Sequence, residues 1–148
     1  MSKKINLKIV TPERLVLEEI VDQVTLPTLE GEITILPEHI PVIVGLKSGD
    51  IVAMSGGESV PFVVSGGFVE VKTGNDGNTE VAVLADFAEH VGDITDDAIE
   101  KAKAKSEELK KQMENTGHVD FEHFEAELER SLTRVKIADK WRTKKYRK

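Results

Sequence analysis

All five prolines of this 148-residue chain lie between Pro12 and Pro61, and ten of its eleven glycines precede Asp93. Helix interiors tolerate neither residue well. The two stretches therefore follow different folding rules. Up to about Glu89 the chain reads as short strands broken by turns, and from about Asp93 it reads as helix. We divide it into an all-β unit over residues 1–89 and a helix–turn–helix unit over residues 90–148 with a basic C-terminal extension.

Ile5-Asn6-Leu7-Lys8-Ile9 alternates apolar and polar residues with period two, the pattern of a half-buried strand. Leu15 to Leu17, Val21 to Leu26 (with Val24 and Leu26 on one face), Ile33 to Ile35, Val42 to Val44 and Ile51 to Met54 follow. Val60 to Val64 and Phe68 to Val71 read as two strands around a turn at Ser65-Gly66-Gly67, where backbones approach closely. Thr73 to Asn78 reads as a hairpin loop and Glu80 to Leu84 as the last strand. Eight to ten short strands with no helix between them predict a β-sandwich or flattened barrel. Aromatics are only 5 % of the residues, so Val, Ile and Leu must build its core.

The second unit switches to helical spacing. Thr95 suits an N-cap, with Asp96 and Asp97 in the first turn. Ile99, Ala102, Ser106, Leu109 and Met113 form one narrow stripe. Asn115-Thr116-Gly117 supplies an end, and Asp120 a cap for a second helix with the stripe Phe121, Phe124, Leu128, Leu132 and Val135. A connection this short makes the helices antiparallel neighbours. Ala and Ser on the first stripe bury little area, so a weakly anchored hairpin is expected.

The net charge of −7 is uneven. Residues 1–89 hold 6 Lys/Arg against 14 Asp/Glu, whereas Lys140 to Lys148 carry six positive charges and no negative one. A basic tip on an acidic protein suits an acidic partner or, more simply, a solvated tail. Cysteine is absent, which excludes disulfides and thiolate metal sites. Neither a span-length apolar run nor a signal-peptide pattern is seen, so a soluble intracellular protein is expected. Phosphate-loop, dinucleotide, HExxH and GxSxG signatures are missing. His39, His90, His118 and His123 show no metal-ligand spacing and read as surface or turn histidines. An acidic strand unit with a short basic tip does not suit nucleic acid. No catalytic constellation is found, so no enzyme is expected.

Three segments carry a family resemblance. Glu30-Gly31-Glu32-Ile33-Thr34-Ile35-Leu36-Pro37-Glu38-His39-Ile40-Pro41, Val64-Ser65-Gly66-Gly67-Phe68-Val69-Glu70-Val71 and Val81-Ala82-Val83-Leu84-Ala85-Asp86 resemble motifs of the epsilon subunit of bacterial F-type ATP synthase. Order and spacing agree over nearly the whole chain, with the residues from about Trp141 as an extension. The resemblance implies a flattened sandwich of about ten strands followed by an antiparallel helical hairpin. It also implies a non-catalytic rotor subunit of a proton-translocating motor, set between the gamma subunit and the c-subunit ring. Such a subunit is peripheral, on the cytoplasmic face of the inner (plasma) membrane, and meets the membrane only through the complex. The resemblance puts Glu30, Gly31 and Glu32 in the loop facing the c ring and His39, Ile40 and Pro41 on the face toward gamma.

In that family the hairpin is regulatory: folded on the sandwich it lets the motor run, and extended it blocks hydrolysis. The resemblance implies transient contact of Arg130, Arg134, Lys136, Lys140 and Arg142 with acidic segments of the alpha and beta subunits, lengthened by the basic tip. Some members bind ATP at the base of the hairpin. Glu89, Ile94, Lys105, Arg130 and Arg134 match or approximate that pocket, but Thr95 and Ala98 replace its Asp and Arg. A lost guanidinium removes a contact worth about 1.5–3 kcal/mol, so ATP is expected as a weak regulatory ligand or none. The alternative from another class is a stand-alone β-sandwich nucleotide sensor that signals through its hairpin.

Overall fold

The computed structural model describes residues 3–115 and 121–147, without the side chains of Met113, Asn115 and residues 121–124. The expected Asn115-Thr116-Gly117 end, the Asp120 cap, His118, and the side chains of His123, Met113, Phe121 and Phe124 lie outside the described residues. Eight strands come first: β1 (Ile5–Val10), β2 (Leu15–Val21), β3 (Gln23–Thr28), β4 (Gly31–Ile35), β5 (Val42–Gly45), β6 (Gly49–Ser55), β7 (Glu58–Thr73) and β8 (Thr79–His90). A 3₁₀ turn at Val91–Asp93 leads to α1 (Asp96–Asn115) and α2 (Phe121–Trp141).

The strands pair in the order β2-β1-β8-β7-β6-β3-β4, with β5 also on β7. β7 and β8 are long enough to serve both layers of a flattened sandwich. Their ladder runs from Phe62↔His90 to Thr73↔Thr79. The first half of β7 pairs with β6 and the second half with β5. β1 joins β8 in parallel, closing the N-terminal hairpin onto the last strand.

The alternation read in β1 is observed: Ile5, Leu7 and Ile9 are fully buried. So are Val24 and Leu26 of β3, which share one continuous core with Ile51, Val64, Val69 and Val83. Two expectations need correction. Ser65-Gly66-Gly67 is a bend inside one strand and not a turn between two, so the nine strand segments read from the sequence become eight. The close approach is real, however. Gly67 has φ 105°, and a Cβ there would overlap the carbonyl oxygen of Leu84 on β8. The last strand also runs six residues past Leu84, to His90.

β7 breaks the two-residue period just where the hairpin sits. Val60, Pro61, Phe62, Val63 and Val64 are buried consecutively. One face of this stretch belongs to the sandwich core and the other, through Val63, to a second apolar cluster under α2. A strand covered on both sides needs no polar face.

Thr95 caps α1 as expected: its Oγ1 accepts the backbone N–H of Ala98 at 3.1 Å. Ile99, Ala102, Ser106 and Leu109 are buried, so the α1 stripe holds over the described side chains. The α2 stripe does not hold in the same way. Leu132 is 42 % exposed, whereas Ser131, Ile137, Ala138 and Trp141 are buried. α1 packs chiefly on α2, and α2 carries the main contact with β6, β7 and the 3₁₀ turn.

Candidate interaction surfaces and the hairpin seat

The Glu30–Gly31 turn joins β3 to β4 and is pinned by a buried threonine. Thr28 Oγ1 donates to the Gly31 carbonyl and accepts the Glu30 N–H at 3.2 Å. Glu30 and Glu32 then project as exposed carboxylates. His39, Ile40 and Pro41 lie in the β4–β5 connection. Its position is fixed by Glu38 N–H, which donates to Oγ1 of buried Thr79 at 2.6 Å, and by Glu38 itself at φ 72°. His39 Nδ1 lies 2.7 Å from the Ile40 carbonyl.

The two segments are tied together by β5, which begins after Pro41 and whose last residue, Gly45, accepts the Leu29 N–H at 3.0 Å. Along this rim Ile40, Leu29 and Ile43 are 73, 68 and 67 % exposed. Large exposed aliphatic side chains along one strand and its flanking connections suit a protein-binding surface. The sequence motifs mark Glu30 to Glu32 and His39 to Pro41. They miss Leu29 and Ile43, although each is a large aliphatic residue at a turn or on the outward phase of a strand.

The hairpin seat is small. Ile137 and Trp141 of α2 pack on Val63 and Val91, flanked by Val52, Phe87, Ile94 and Tyr146. Burying two such side chains contributes roughly 3–6 kcal/mol at most. Polar contacts ring this patch. Arg134 donates to both oxygens of Glu89, Nε to Oε2 at 2.9 Å and Nη2 to Oε1 at 3.2 Å. Lys140 Nζ and Trp141 Nε1 converge on Asp50 Oδ2 at 2.8 and 2.9 Å. Ser48 Oγ donates to Glu129 at 2.9 Å, and the Arg130 guanidinium lies 4.7 Å from the centre of the Phe87 ring.

These contacts locate the residues expected to hold ATP or to brake the motor. Glu89 and Arg134 come together, with Arg130 beside them. Ile94 belongs to the apolar seat. Lys105 instead spans the hairpin to Glu127 at 3.5 Å. Lys136 is exposed, and Arg142 pairs with Asp139 at 3.5 Å. The hollow beside Arg130, lined by Arg14, Asp86, Phe87 and Glu89, encloses about 100 Å³. Small-molecule pockets usually need at least ~300 Å³.

Residues 4–91 match the family described as the ATP synthase, Delta/Epsilon chain, beta-sandwich domain. An ATP synthase epsilon chain of Desulforamulus reducens is 38 % identical over 140 residues, which cover 94 % of this chain and 100 % of that one. Another, from Dehalococcoides mccartyi, is 40 % identical over 139 residues, covering 94 and 95 %. A solved chain from the Euglena gracilis mitochondrial ATP synthase OSCP/F1/c-ring assembly superposes with a TM-score of 0.58 at 24 % identity, over 94 % of this chain and 79 % of that chain. One from the Tetrahymena thermophila mitochondrial ATP synthase central stalk and c-ring gives 0.53 at 18 %, over 96 and 100 %. The two structures speak to the fold alone. With a sandwich that matches the family and relatives alike along nearly their whole length, the chain belongs to the epsilon chains of ATP synthase.

Proposed function

We propose that this chain is a rotor-stalk subunit whose sandwich joins gamma to the c ring and whose hairpin is a releasable brake on ATP hydrolysis. The observation that carries this reading is the hairpin seat. Two large buried side chains, Ile137 and Trp141, and two ion pairs, Arg134–Glu89 and Lys140–Asp50, hold α2 on a sandwich that has its own complete core. Such a contact opens without unfolding what it rests on. The rim of Leu29, Ile40 and Ile43 beside Glu30 and Glu32 suits docking into the stalk, with the acidic turn toward the c ring and the His39–Pro41 connection toward gamma. A sandwich at crystal-like packing density suits torque transfer. No helix among the described residues is long and apolar enough to cross a membrane. We place the subunit at the cytoplasmic face of the membrane, held there by its partners.

Truncation after Asp93, tested in the assembled complex, should raise ATP hydrolysis and leave assembly intact. Hydrolysis unchanged at every ATP level would refute the brake. Nucleotide is not the ligand that holds this hairpin down, in our reading, because Arg134 is already engaged by Glu89 and the neighbouring hollow is too small. Calorimetry of the isolated chain with ATP should show no binding in the micromolar range.

A further inference from the structure

The segment after α2 does not hang free. β7 begins at Glu58, but its ladder with β8 begins only at Phe62, opposite His90. Glu58 to Pro61 therefore have β6 on one side and no β8 neighbour on the other. The chain's last described residue closes that gap: the Arg147 N–H donates to the Ser59 carbonyl at 2.8 Å. Its guanidinium reaches β2, where Nη1 and Nη2 donate to the two oxygens of Glu19 at 2.7 and 2.6 Å. A two-pronged pair of this kind is the strongest geometry a surface ion pair adopts. Tyr146 packs edge-on against Trp141 with ring centres 5.8 Å apart, and Lys144 Nζ lies 5.4 Å from the same indole.

The segment thus starts in the seat, at Trp141 and Asp50, and ends on β7 and β2. The six Cα–Cα steps from Trp141 to Arg147 reach at most about 20–22 Å when fully stretched. While Arg147 stays fixed on Ser59 and Glu19, the end of α2 must remain within that distance of it. Extension of the hairpin by several helical turns first requires this contact to open.

We propose that residues 142–147 are a clasp that holds the hairpin in its docked form, with the Arg147–Glu19 pair as its lock. The basic segment then favours the running state. It does not lengthen the brake, as its charge alone suggests. Lys140 and Arg147 are neutralised on the sandwich until the clasp opens, and only then become available to an acidic partner. This last step rests on the brake reading, whereas the clasp itself does not.

The test uses the full-length chain with spin labels at Lys8→Cys on β1 and Lys101→Cys on α1, both exposed, in a protein that has no native cysteine. The wild type should show one docked distance. Arg147→Ala, and separately deletion of residues 142–148, should raise the longer-distance population at least threefold. The swap Glu19→Arg with Arg147→Glu should restore the docked distance. Raising NaCl tenfold should loosen the wild type by more than it loosens Arg147→Ala, in which only the Arg134–Glu89 and Lys140–Asp50 pairs are left to be screened. Identical distance distributions in wild type, Arg147→Ala and the deletion would overturn the clasp, as would a wild type that is already undocked. ATPase measurements on complexes with the same variants separate the two ideas. More undocking without altered hydrolysis supports the clasp and removes the brake. No change in undocking removes the clasp whatever the ATPase does.

Discussion

The sandwich interior and the hairpin seat are both lined by aliphatic residues, yet they hold in different ways. Inside the sandwich, Ile5, Leu7, Ile9, Val24, Leu26 and Ile51 interlock from several strands at essentially zero exposure. The seat offers Val63 and Val91 to only two large α2 side chains, and carboxylates at its edge do much of the holding. A dry core of many partners fails all at once. A small patch fringed by ion pairs can let go alone. Stiffness and release therefore sit side by side because the apolar area differs, not because the residue types do.

This difference is tested most sharply inside the core, where a single substitution removes the most. Leu26→Ala should cost about 2–5 kcal/mol of global stability, since a cavity is left in a close-packed interior. Ile137→Ala should leave the unfolding midpoint of the sandwich nearly unchanged and free the hairpin. The chain carries its own reporter, because its single tryptophan, Trp141, lies in the seat. In urea, Trp141 fluorescence should change before the β-sheet dichroism in the wild type, and earlier still in Ile137→Ala. Coincident transitions in both proteins would show that hairpin and sandwich form one cooperative unit.

A smaller effect isolates the ring from the patch. Glu89→Gln removes the charge facing Arg134, whose side chain is largely buried with it. The expected cost is roughly 1–2 kcal/mol, confined to docking, or about a 5–30-fold loss of hydrogen-exchange protection in α2. The strands of the core should keep theirs. Loss of protection in β1 and β3 as well would mean that the ion pair supports the sandwich and not only the seat.

How much of this is legible in the sequence follows from the same contrast. Strict alternation in Ile5 to Ile9 is visible because one side faces water and the other a core. Thr95 is legible as a cap because capping is local, three residues from side-chain oxygen to amide. The α2 contact is harder. The stripe through Leu128, Leu132 and Val135 stops short of the helix end, and the surrounding basic residues make Trp141 look like part of a tail. Yet Arg134, Ile137, Ala138 and Trp141 fall at i, i+3, i+4 and i+7, a second face that turns toward the sandwich. A helix with two neighbours has two stripes, and following one hides the other. The unbroken run Val60 to Val64 is the matching signal on the sheet. Glu19 with Arg147, 128 residues apart, leaves no pattern, because a pair made by tertiary return has no spacing to read.

The finest test concerns pH. His90 ends β8 with its Nδ1 accepting the Gly92 N–H at 2.9 Å and its ring edge-on to Phe62. Burial holds the imidazole below its ordinary value of 6.5; Asp93 opposes this, the charge of Arg147 adds to it, and the Arg147 backbone opposes it through a hydrogen bond. A depressed histidine is neutral in the folded form while the unfolded form still takes up a proton. Its contribution is therefore complete above pH 6.5 and is lost as pH falls from there through the folded value. Glu19 is also depressed, chiefly by its hydrogen bonds from Arg147, but its contribution persists until pH falls below 4.5. Between about pH 7.5 and 5.5 histidine alone should act here. The protonated ring can no longer accept from Gly92, so the protection of the Gly92 amide, taken relative to its intrinsic base-catalysed exchange rate, should fall as pH drops below 6.5 through the folded value. Protection in β1 should stay flat. His90→Asn, which keeps a side-chain acceptor without a titrating proton, should remove the slope at Gly92. A slope that survives this substitution would assign the sensitivity to another group and leave the 3₁₀ turn as passive as the core beneath it.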